Sequence, residues 1–94
     1  EAGRAIQDAE EEKQEVLNEA RERGIAVPAA AFVKFDRLLA QAKELFSRKN
    51  YQGAEQLAEQ AEKSLDEADE MIEDLEAIRE KAEELKKERE GEGD

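Results

Sequence analysis

Two apolar seams that mirror each other about Asn50 constrain this chain more than any other feature. Before it stand Phe32, Phe35, Leu39, Ala42 and Phe46, spaced three, four, three and four residues apart. After it stand Ala54, Ala58, Ala61, Leu65, Ala68, Ile72 and Leu75, spaced alternately four and three. That alternation marks an amphipathic helix that packs along another helix. Paired outward from Asn50, Phe46 meets Ala54, Ala42 meets Ala58, Leu39 meets Ala61, Phe35 meets Leu65 and Phe32 meets Ala68, each pair of numbers summing to 100. An antiparallel helical hairpin satisfies the pattern. Its large residues mostly face small ones, so the alanines permit close approach while Phe46 and Leu39 fill the gap.

Two breaks divide the chain into three helices. In "RERGIAVPAAAF", Gly24 suits the left-handed residue past a helix end and Pro28 the first turn of the next helix. In "SRKNYQG", Arg48 and Lys49 complement the negative end of a helix dipole and Asn50 caps a helix end or start. The expected helices cover about 2–23, 28–48 and 51–89, within a single domain over residues 1–90. Residues 91–94 are expected to form a flexible tail. The expected fold is all-α: an antiparallel three-helix bundle or coiled-coil hairpin with a long third helix.

The placement of the first helix stays open. Its apolar set is Ile6, Ala9, Val16 and Ala20, with Ala5 and Leu17 beside it and Lys13 interrupting the stripe. It either folds back on the second helix or runs on as a broken arm along the far end of the third. Two observations favour folding back. The extended mirror register sets Glu22, Asn18 and Glu15 against Ile78, Ala82 and Leu85, a poor match. Charge is also segregated: residues 25–49 carry five cations and two anions, whereas both flanking segments are acidic. A basic helix touching two acidic ones balances that charge.

Composition narrows the function. Charged residues make up 45% of the 94 residues and aromatics 4%, which leaves a narrow helical core rather than a thick globular one. There is no cysteine and no histidine, so the thiolate nucleophile, the commonest general base and the usual transition-metal ligands are missing. Ser47 and Ser64 lack a base, and no glycine-rich phosphate loop is present. No enzyme activity, catalytic residue, cofactor or metal site is expected. A net charge of −12 argues against nucleic acid and anionic lipid. No run approaches the ~20 apolar residues of a membrane span, so membrane insertion of this segment is not expected. The chain begins at Glu1 rather than Met, which leads us to expect a piece of a longer protein.

The third helix outruns its partner. It should span almost ~60 Å against ~31 Å for the second. Beyond the mirrored seam lie Leu75, Ile78, Ala82 and Leu85, still at helical spacing. These four are the candidate partner-binding residues, for a second copy (a homo-oligomer) or another helical protein. In the broken-arm arrangement the first helix would cover them instead. The acidic run "DEADEMIEDLE" sets Asp66, Glu70 and Asp74 at like-charged i,i+4 spacing, as it does Asp69 and Glu73. It is read as a solvated helix face in preference to a cation site, because it has neither the loop and glycine turn of an EF-hand nor the His of a carboxylate di-iron bundle. Glu19–Arg23, Glu44–Arg48, Glu59–Lys63 and Glu83–Lys87 are stabilising pairs at the same spacing.

The elbow "FSRKNYQGAEQLAEQA" resembles the inter-helix junction of a tetratricopeptide repeat in its polar turn, Tyr51, Ala54 and Ala61. The likeness covers about a third of the chain. It departs at Lys49, where the turn glycine would stand, and at Gln41–Ala42, where the first helix would carry Leu-Gly. No Pro closes the second helix and no further copy follows, whereas such arrays stack about three. The layout of "GIAV" before one helix and "NYQGA" before the next is also similar to helical modules of uncharacterised archaeal proteins, which implies no activity. The expected role is interaction or oligomerisation within a larger protein. The alternative is a passive spacer or stalk.

Overall fold

The computed structural model describes residues 1–92. Three α-helices, α1 (Ala2–Glu22), α2 (Val33–Ser47) and α3 (Tyr51–Glu92), form an all-α bundle. A 3-10 turn over Ala29–Phe32 leads into α2. The α-helix therefore begins later than the expected position 28. Pro28 is extended at ψ 147° and Phe32 leaves helical geometry at φ −113°, ψ 7°. At the other end α3 continues through Gly91 to Glu92, past its expected end at 89, so the proposed tail begins as helix. Positions 93 and 94 of that tail lie outside the described residues.

Both turns use the same device. Gly24 takes φ 72°, with its N–H donating to the Arg21 carbonyl and that of Ile25 to the Ala20 carbonyl at 2.9 Å. Lys49 takes φ 66°, and Lys49 and Asn50 donate to the Phe46 and Leu45 carbonyls. Each pair of bonds satisfies carbonyls left over at a helix end and reverses the chain. The second turn places a lysine in a conformation that favours glycine. Asn50 then accepts the Gly53 N–H on its Oδ1 at 3.1 Å and starts α3.

The mirrored hairpin forms. Phe32, Phe35 and Leu39 share one buried cluster with Ala61, Leu65 and Ala68. Lys34 Nζ lies 3.4 Å from Glu67, a pair whose numbers sum to 101, within one residue of the mirror. One member departs. Phe46 is 40% exposed, because it sits in the last turn of α2, where α1 offers only the small residues Ala2 and Gly3 beside an open cleft. Its ring meets Tyr51 edge-on at 5.3 Å instead.

Helix α1 folds back, and the broken arm is excluded. Glu10 pairs with Lys43 and Lys13 with Asp36, so α1 runs antiparallel to α2. Glu1 pairs through its amino group with Glu55, and Arg23 with Glu76, so α1 runs parallel to α3. Ala2, Ala9, Val16 and Ala20 face inward. Lys13 completes the stripe rather than breaking it. Its stem is half-buried and its ammonium lies 5.0 Å from the Phe32 ring centre and 2.8 Å from Asp36.

Candidate functional site

The four candidate residues lie on the end of α3 that outruns the bundle. Leu75 is half-buried where the bundle closes. Ile78 is 64% exposed and Leu85 50% exposed, and every residue from 77 to 91 is exposed. Two long-range tethers mark the limit of coverage. Arg23 Nη1 donates to Glu76 Oε2, and Arg79 Nη1 donates to the Gly24 carbonyl, both at 3.1 Å. Beyond Arg79 about 20 Å of helix stands free, at ~1.5 Å per residue.

The free stripe continues a particular side of α3. Leu57, Ser64, Met71, Ile78 and Leu85 recur every seven residues. Four residues after each of the first four come Ala61, Ala68, Leu75 and Ala82. This series shares its alanines with the mirrored seam but is turned toward α2. Leu57 borders Gln41 and Leu45, and Ser64 borders Lys34 and Leu38. Hence α2 occupies the first half of an unbroken heptad stripe, and Leu75, Ile78, Ala82 and Leu85 are its second half. The sequence reading placed these residues, but not the side of the helix that they extend.

The other side of α3 carries a like-charge strain that charge segregation did not lead one to expect. Both acidic helices, α1 and α3, pack directly on each other rather than only on α2. A cleft of about 160 Å³ between them is lined by Val16, Glu19, Ala20, Arg23, Asp69, Ile72 and Glu73. Asp69 is held above the ordinary aspartate range by burial first, then by Glu19, Asp66 and Glu73, with Arg23 opposing. Glu62 is raised likewise by burial, then by Glu12, Asp8 and Glu59. A carboxyl whose affinity for a proton is greater in the folded chain stabilises the fold at low pH and loses that contribution as pH rises from the unfolded value through the folded one. The two windows open upward from the ordinary values of 3.8 and 4.5. Asp69→Asn and Glu62→Gln should therefore raise the thermal midpoint at pH 7. The gain should shrink with added salt and vanish at a pH below both ordinary values. Thermal melts across pH and ionic strength check this, and an equal gain at all pH values would contradict it.

Among the described residues no three Asp or Glu side chains converge as a metal site. Nor is any described helix long and apolar enough to cross a membrane. Of the four i,i+4 pairs, Glu19–Arg23 and Glu44–Arg48 close at 3.6 and 2.8 Å. Tyr51 is 51% exposed, its ring resting against Phe46. At that end of the bundle Glu1, Gly3, Phe46, Tyr51 and Glu55 line an open cleft. Comparison with protein-family models, curated proteins and solved structures finds no match for this chain.

Proposed function

We propose that the chain is a non-enzymatic helical interaction or assembly module that docks through Leu75, Ile78, Ala82 and Leu85. One observation carries the reading: Ile78 and Leu85 stand 64% and 50% exposed on a heptad stripe whose first half is already occupied by α2. An isolated helix with an apolar stripe gains free energy by covering it. The partner is a second copy or another helical protein.

The long axis of 69 Å, against 18 and 15 Å across, favours a second reading as a passive spacer. Selection from a displayed library of amphipathic helical peptides, with light scattering in parallel, separates the two. For a docking module, Ile78→Glu/Leu85→Glu should abolish the selected binding, and any oligomer, while leaving the helical signal and melting midpoint unchanged. A spacer would yield no binder and no oligomer sensitive to the double substitution. Both side chains lie outside the core, so a large drop in stability is not expected from either change.

A further inference from the structure

The free half of the stripe has a charge rim unlike the rest of α3, where residues 51–76 hold a single cation, Lys63. Residues 77–92 hold five cations and six anions and so are close to balance, whereas the chain as a whole carries −12. The positions flanking the stripe are Arg79 and Lys86 on one side and Asp74, Lys81 and Glu88 on the other, so the cations flank its free part, and Arg89 is the next residue in the stripe itself. The acidic residues Glu80, Glu83, Glu84 and Glu90 turn away onto the outer face. Arg79 is already steadied by its bond to the Gly24 carbonyl.

This rim opposes a second copy. Two overhangs cover all four apolar residues when they run antiparallel, with Leu75 on Leu85 and Ile78 on Ala82. In that register the flanks meet like with like: Arg79 against Arg79 of the second copy, and Lys81 against Lys81. A parallel pair sets Lys81 against Lys86, with only Asp74 against Arg79 to offset it, and brings two bundles together where α2 already sits. Like charges at such positions act against pairing.

The geometry points to an acidic amphipathic helix of another protein as the occupant, lying on the stripe end to end with α2 and offering carboxylates to Arg79, Lys81 and Lys86. This deepens the docking reading above and rests on it. The free helix from Ala77 to Glu92 is about 24 Å long, so the partner segment is about four turns. An interface of that length lies at the small end of specific contacts, and its binding should be weak and sensitive to salt.

Two fluorescent helix-forming peptides of about three heptads test this, with Leu along the seam and either Glu or Lys at every flanking position. Anisotropy is read against the full chain at low and high ionic strength. The acidic peptide should bind at least about tenfold more tightly than the basic one, and the difference should fall at high salt. Lys81→Glu/Lys86→Glu, at two exposed positions, should invert the preference. Ile78→Glu/Leu85→Glu should abolish binding of both. Equal or tighter binding of the basic peptide, or an oligomer lost on Ile78→Glu/Leu85→Glu, overturns the acidic partner and leaves the docking surface standing. Failure of both peptides, with no binder from the library, overturns the docking surface as well.

Discussion

Replacing Phe35 by Ala should lower the unfolding free energy by about 3–5 kcal/mol, a large share of what a small domain has. Phe35 is 1% exposed and is the largest side chain in the bundle to be fully buried. It lies in the cluster that joins all three helices, among Leu39, Leu65 and Val16. Ala61 and Ala68 in the same cluster have no side-chain length with which to move into the space left behind. A cavity there stays open, which puts the site at the upper end of the large-to-small range. Lys13 adds to the loss. Its ammonium lies 5.6 Å from the Phe35 ring centre and keeps only Phe32 and Asp36 once that ring is gone. Urea denaturation followed by far-ultraviolet dichroism should show a lower midpoint at an unchanged slope. Val33→Ala, at a 61% exposed position two residues away, is the control and should change stability by no more than about 0.5 kcal/mol. A loss below about 1 kcal/mol for Phe35→Ala would mean that the three-helix core is not closed around it.

The hairpin was legible because its information is periodic. Seams reflected about Asn50 encode both the helices and their register, and Lys34–Glu67 closes within one residue of that mirror. The direction of α1 was harder to read. Its stripe has a lysine in the middle, and only the three-dimensional placement of Lys13 between Asp36 and two phenylalanine rings shows that a cation can belong there. Net charge by segment led to the right arrangement for an incomplete reason. Two cations of α2 do reach carboxylates on α1 and α3, yet α1 and α3 also press their acidic flanks together near Asp69 and Glu62. Hydrophobic burial along Ala9, Val16, Leu65 and Ile72 outweighs that repulsion. Phe46 shows the limit of register alone. A seam position is buried only if its neighbours enclose it, and in the last turn of α2 Phe46 has the small residues Ala2 and Gly3 beside it at an open cleft. The candidate site was legible as a list of residues because Ile78 and Leu85 keep helical spacing past the end of any partner. Its orientation was not, since the series through Leu57 and Met71 becomes distinct only once α2 is seen lying against Leu57 and Ser64.

Filling the alanine seam should also be damaging, though less so than emptying the core. Ala61 has no exposed surface, belongs to both heptad series of α3 and lies in the cluster that joins α1, α2 and α3. Ala61→Leu adds apolar volume and keeps a strong helix former, and by propensity or hydrophobicity alone it would be harmless. The close approach forbids it. The added branch must displace Leu39, its mirror partner, or separate the helices, which should cost about 1–3 kcal/mol. Ala77→Leu makes the same chemical change on the exposed side of the overhang and should stay within about 0.5 kcal/mol. The informative measurement is the exchange of large for small across the pair. If Leu39 and Ala61 face each other, then Leu39→Ala opens the space that Ala61→Leu needs. The double variant should then be more stable than the sum of the single losses by about 0.5–3 kcal/mol. Strict additivity would mean that the two side chains do not share a space. Their mirror pairing about Asn50 would then describe the spacing of the residues without describing their contact.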